Sequence, residues 1–204
     1  RDVAPSRGLG DVYKRQADLK VKFSGITPDT LMDVEFVLVG TGFKGTVTFS
    51  NVVLTNLSSD KQELTKQEPT VLSDLNDEFQ VNLWAGETGY QYFHGGEENA
   101  APKCSYDANG GDGRLKVSLD YTANSGESWS EAKVKFTPET PADISNYNQV
   151  SVDLIYPENS NISKIKFFSN SGINKDTSID SSEAADAGCL LYTSPSPRDG
   201  ATSR

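Results

Sequence analysis

Residues 115–121 read LKVSLDY. Leu115, Val117, Leu119 and Tyr121 alternate with Lys116, Ser118 and Asp120. Successive side chains of a β-strand point to opposite faces, so a period of two predicts a strand with one face buried and one in water. The alternation returns at residues 149–156, QVSVDLIY, where Val150, Val152, Leu154 and Tyr156 take the apolar positions. VEFVLVG at 34–40, TVTFSNVVL at 46–54 and SKIKFFS at 163–169 add three runs rich in β-branched and aromatic residues. Gly, Asn, Asp, Pro and Ser clusters separate them, among them DANGGDG at 107–113 and PENSNIS at 157–163. These compositions mark turns. No segment carries a helical stripe, although TPDTLMD at 27–33 has room for one turn. Short strands at this spacing predict an all-β protein, an antiparallel β-sandwich.

The two ends pull against that pattern. DVYKRQ at 11–16 can be encoded by GATGTGTATAAGAGACAG, whose reverse complement, read one frame over, encodes the CLLYTS of residues 189–194. Suitable codons extend the match through residues 1–10 and 195–204. The ends therefore fit an inverted repeat in DNA, and they resemble translated sequencing-adapter sequence. Residues 1–16 and 189–204 are accordingly set apart from the fold and expected to pack poorly. Without them Lys+Arg falls from 19 to 13 and Asp+Glu from 29 to 26, so the net charge moves from −10 to −13. A chain this acidic repels phosphate backbones, which argues against nucleic acid as a partner. No apolar run approaches the ~20 residues that span a bilayer, so no membrane partner is expected.

Cys104 is then the one cysteine left, and its strand-like neighbours predict a buried structural thiol. A single histidine, His94, excludes a multi-histidine zinc site. The polar, aperiodic stretch 58–73, which carries Pro69, reads as a linker. It divides the remaining chain into residues 17–57 and 74–188. The first is too short for an ordinary independent core. Neither segment reads as a complete domain.

In SWSEAKVKF at 128–136, Ala132, Val134 and Phe136 share one face, while Trp129, Glu131, Lys133 and Lys135 share the other. A tryptophan among charges opposite the core has a binding rationale. The apolar face of a pyranose ring stacks on an indole, and Glu and Lys beside it hydrogen-bond sugar hydroxyls. A bulge at Ser128 or Ser130 would instead turn Trp129 inward. Trp84, in LWAG, can bury its indole at a sandwich end. Nothing places two carboxylates across one cleft as a glycosidase needs, with Glu87, Glu97, Glu98 and Glu131 the nominees, so no catalytic residue and no enzymatic role is assigned. Ser73-Asp74 to Asn76-Asp77-Glu78 and Asp107, Asn109, Asp112 supply oxygen ligands of the kind Ca²⁺ takes, although in DANGGDG a Gly/Asn turn explains the spacing without metal.

The segment after the linker resembles the mannan-binding carbohydrate-binding modules of family 27. The resemblance rests on LSDLNDEFQVNLWAGETGYQYFHG, GRLKVSLDY, ESWSEAKVKF and QVSVDLIYP, in that order. Residues 19–57, ending in the strand GTVTFSNVVL, resemble the back of the same kind of module, with Ser50 standing where the family has an aspartate. The resemblance implies a jelly-roll, galactose-binding-like sandwich. In this reading the back of one tandem module and the front of the next close together as a circular permutant, with strands within 19–54 pairing to the sheets of 75–170. It implies a non-catalytic ancillary module of a secreted mannan-degrading glycoside hydrolase, monomeric within a multimodular chain. β-Mannan polysaccharide or oligosaccharide would be its ligand. It carries over Trp129 as the sugar platform, matches Trp84 to a loop aromatic as readily as to a buried position, and puts a second aromatic near Tyr90, with Tyr92 as its substitute; Glu131 and Lys133 join them by the parity of their strand. It also implies at most one structural calcium and no other cofactor, with Asp74 and Asp77 as the favoured ligands. The competing expectation is a structural or adhesive sandwich of a bacterial surface protein with no sugar site. Trp129 and Trp84 lining one groove would favour sugar; both buried would favour the structural role.

Overall fold

The computed structural model describes residues 14–23, 30–31, 34–56, 70–108, 111–123, 129–140, 142–143, 147–158, 160–169, 173–179 and 185–186. Its strands run in chain order as β1 (Lys14–Lys22), β2 (Thr30–Leu31), β3 (Val34–Gly40), β4 (Lys44–Thr55) and β5 (Thr70–Ser73). A short helix α1 (Glu78–Asn82) leads into β6 (Trp84–Glu87), β7 (Phe93–His94), β8 (Glu97–Glu98), β9 (Lys103–Asp107) and β10 (Arg114–Asp120). β11 (Ser130–Phe136), β12 (Ala142–Asp143), β13 (Gln149–Pro157), β14 (Ile162–Ser169), β15 (Asn174–Ser178) and β16 (Ala185–Asp186) complete the set.

Two antiparallel sheets form the body. One has seven strands in the order β16-β1-β13-β4-β10-β9, with β5 beside the second half of β4; the other has five, β15-β14-β3-β11-β6. The protein is an all-β sandwich. Period-two patterning puts Leu115, Val117 and Leu119 of β10 and Val150, Val152 and Leu154 of β13 on the inner face of the first sheet. Ala132, Val134 and Phe136 of β11 and Ile165 and Phe167 of β14 face them from the second. Phe36 of β3 sits at the centre. Its ring meets Phe49 of the opposite sheet at 6.0 Å, Trp84 at 5.8 Å and Phe167 at 5.4 Å between centroids.

The segments on either side of residues 57–69 share both sheets. β4 lies between β13 and β10, and β3 lies between β14 and β11. The early strands are thus central, and strands within 19–54 pair with those of 75–170. At the end of the stretch read as linker, Thr70–Ser73 is instead strand β5, with Leu54 opposite Thr70. Its Val71-Leu72 pair supplies the β propensity that the charged residues before it obscure. Residues 14–16, expected to pack poorly, instead extend β1, which starts at Lys14 and pairs Lys14, Arg15 and Gln16 with Pro157, Tyr156 and Ile155. Backbone pairing needs no particular side chains, and Arg15 adds an ion pair to Glu158. Residues 1–13 and 187–204 lie outside the described residues.

α1 is an element the periodicity missed, since five residues are too few to show a stripe. Its local signal is a cap: the Asp77 carboxylate accepts from the Gln80 N–H at 2.8 Å, satisfying a free donor of the first turn.

Candidate functional site

The site is built on the outer face of the five-stranded sheet. β11 pairs with β3 so that Glu131 lies opposite Val39, Lys133 opposite Val37 and Lys135 opposite Glu35. β14 flanks β3 on its other side, with Lys164 opposite Val39 and Lys166 opposite Val37. The period of two therefore delivers two lysines from β14 and Glu131, Lys133 and Lys135 from β11 to one surface, separated by a central strand of valines. Val37 and Val39 are buried although they point away from the sandwich core. VEFVLVG reads as nearly continuous apolar sequence for that reason: both faces of β3 are covered.

Trp129 immediately precedes β11 and is 40% exposed; Tyr90 is 56% exposed. Their rings meet with centroids 5.4 Å apart and planes 34° from parallel. The Tyr90 loop is held down by its backbone. The Glu131 N–H donates to the Tyr90 carbonyl at 3.2 Å, and a Cβ at Gly89 would overlap the Glu131 carbonyl oxygen. Only glycine permits that approach. Gln91 then adopts a left-handed φ of 47°, uncommon for a side chain of its kind, while its N–H donates to the Asn99 side chain at 2.8 Å.

Beside the aromatic pair, Lys166 makes an ion pair with Glu131, and its Nζ lies 5.9 Å from the centre of the Trp129 ring. That distance is within the reach of a cation–π interaction. Farther along β11, Lys135 pairs with Glu87 at 3.2 Å and Lys133 lies opposite Glu87 in the ladder. Burial lifts the Glu35 carboxyl above its ordinary range; Lys133 pulls it back, and neighbouring Glu87 adds to the rise. Lys164 pairs with Asp176 at 3.3 Å. In a strongly acidic chain, this face carries its charges in opposed pairs. It offers an aromatic platform next to mixed hydrogen-bond donors and acceptors. From Trp129 to Lys135 it extends roughly 20 Å at ~3.4 Å per strand residue.

Trp129, Tyr90 and Glu131 thus come together, with Lys133 one step along the same face. Trp84 does not join them. It pairs with Phe136 in the β6–β11 ladder, so its indole takes the inner face, stacks on Phe36 and donates from Nε1 to Ser73 Oγ at 3.2 Å. At 4% exposure it has no surface to offer a sugar, so Trp84 and Trp129 do not line one groove. Tyr92 is also interior. Its hydroxyl accepts from the Asp120 N–H at 3.0 Å and meets His94 Nδ1 at 3.2 Å, and burial pushes its pKa up to about 12.

The nominated calcium ligands have local partners: Asp77 caps α1, and Asp74 accepts from the Asn76 N–H at 3.2 Å. Among the described residues no three His, Cys, Asp or Glu side chains converge as a metal site would require. Asn109 lies outside the described residues. Cys104 is half-buried in β9, and burial raises its thiol to about 11, which leaves it a poor nucleophile. No described helix is long and apolar enough to cross a membrane.

Lys166 is the site residue that sequence reasoning passed over. The alternation in SKIKFFS places it on an outer face, but its reach to Glu131 and Trp129 depends on β14 and β11 flanking the same strand. Comparison of the chain with protein-family models, with curated proteins and with solved structures gives no match.

Proposed function

We propose that the outer face of the five-stranded sheet binds a neutral polysaccharide, with β-mannan as the ligand, and that the protein is a non-catalytic ancillary module of a secreted mannan-degrading glycoside hydrolase. The observation that carries this reading is the exposed Tyr90–Trp129 pair beside the Glu131–Lys166 ion pair. A pyranose has an apolar face and a rim of hydroxyls. The aromatic pair matches the first, and the Glu131 carboxylate and the Lys133 ammonium on the same face match the second as acceptor and donor. Hydrogen bonds to charged groups contribute roughly 1.5–3 kcal/mol each when an aromatic neighbour shields them from water. The opposed charges along the face favour an uncharged ligand over an acidic one, which would meet Glu131, Glu87 and Glu35. Mannan rather than another neutral glycan rests on the resemblance of residues 72–157 to mannan-binding modules.

The alternative is a structural or adhesive sandwich domain of a bacterial surface protein, which the burial of Trp84 favours because one of the two expected platforms is core. Affinity electrophoresis separates them. Migration of the protein should be retarded in gels containing galactomannan and not in gels containing xylan or cellulose. Unretarded migration in galactomannan rejects the sugar-binding function.

A further inference from the structure

We infer that Lys166 is the positioning residue of this surface, a strap that crosses β3 and holds Trp129 and Glu131 in the arrangement a sugar would meet. The inference rests on the sugar-binding reading and adds a residue to it. Lys166 belongs to β14 and stands opposite Val37, whereas Glu131 belongs to β11 and stands opposite Val39. To form their ion pair the lysine stem has to run diagonally over the intervening strand. Val37 is 0% and Val39 5% exposed on the outward side of that strand, between the side chains that β11 and β14 send to the same face. A lysine stem is suited to this, since its four methylenes cover apolar surface while the ammonium stays at the water boundary. The ammonium then meets two groups at once, the Glu131 carboxylate and the Trp129 indole.

Lys164, two residues earlier on the same face, is engaged elsewhere by Asp176. The assignment therefore falls on Lys166 rather than on lysines of β14 in general. Trp129 immediately precedes the first residue of β11, and Lys166 and Tyr90 both meet its indole. A side chain already held in place loses less freedom on binding. Lys166 contributes to affinity by that route.

The test uses the whole chain labelled with 5-fluorotryptophan, which gives fluorine resonances for Trp84 and Trp129. Lys166→Met keeps most of the covering stem and removes the charge. It should shift the Trp129 resonance, leave that of Trp84 in place, leave the melting temperature within about 2 °C, and weaken binding of mannohexaose about five- to tenfold. Lys166→Arg, which retains both the ion pair and the cation–π contact, should restore affinity to within about twofold. An unmoved Trp129 resonance, or mannohexaose binding as tight as or tighter than that of the parent in Lys166→Met, overturns the inference. If the parent protein binds no mannohexaose, the proposed function falls, and the fluorine resonances alone then support or overturn the positioning role.

Discussion

Trp84 and Trp129 lie near opposite ends of β11 and toward opposite faces of its sheet. Trp84 is paired with Phe136, the last residue of β11, and points into the sandwich. Trp129 precedes Ser130, the first residue of β11, and lies toward solvent with Tyr90. Buried Ser130 and Phe136 share the inward parity, so the residue before Ser130 falls to the outer side. The tyrosines repeat the contrast two residues apart, Tyr90 exposed and Tyr92 fully buried. An aromatic in a loop-rich sequence is therefore no guide to binding until the register of its strand is known. Face is decided by pairing, and pairing is a long-range property.

The contrast breaks most visibly in stability. Trp84→Ala should cost about 3–5 kcal/mol, because it opens a cavity against Phe36 and Phe136 and leaves Ser73 without its indole donor. Chemical denaturation measures it. Trp129→Ala should stay within ~0.5 kcal/mol of the parent protein in the same experiment. Comparable losses from both would mean that Trp129 is also core.

Binding should show the reverse order. Trp129→Ala is expected to weaken mannohexaose by about 2 kcal/mol, roughly thirtyfold in Kd by titration calorimetry. A Trp84→Phe protein, which keeps an aromatic ring in the core, should bind like the parent. Affinity that follows Trp84 instead of Trp129 would move the site to another face.

The smallest effect lies in the interior, where Tyr92 is anchored by the Asp120 N–H. Burial alone would raise the Asp120 carboxyl, but hydrogen bonds from Lys44, at 2.8 Å, and from Thr122 outweigh it and hold the group below its ordinary range. A depressed carboxylate contributes stability that is present above its unfolded pKa of ~3.9 and is lost as pH falls through the lower folded value. Asp120→Asn should therefore cost about 1–2 kcal/mol at pH 7, moderated because Lys44 is mostly exposed. The difference from the parent protein should shrink as pH drops below ~4. A constant difference down to pH 2 would show that the carboxylate charge is not what Asp120 contributes.

Much of the strand content was legible because alternation is a local property. LKVSLDY, QVSVDLIY and SKIKFFS fall within or overlap β10, β13 and β14 nearly to the residue, and VEFVLVG is β3 itself. The inward face of SEAKVKF was readable from Ala132, Val134 and Phe136, and with it the outward placement of Glu131 and Lys133. Trp84 was not readable, because WAGE is too short for a period and its inner placement follows from the ladder to β11. Nor was β5, whose partner β4 lies across residues 57–69.

By itself, then, the sequence determined that this chain forms strands, which residues of the long strands share a face, and that the composition is strongly acidic. These follow from stereochemistry and charge, which act over one or two residues or over the whole composition. Only the tertiary structure decided which strands are neighbours, and hence that Lys166 reaches Glu131 and Trp129 while Trp84 is sealed beneath Phe36. A one-residue change of register exchanges the two faces of a strand. The proposed binding surface is therefore set by cross-strand pairing between segments far apart in the chain, which no local pattern encodes.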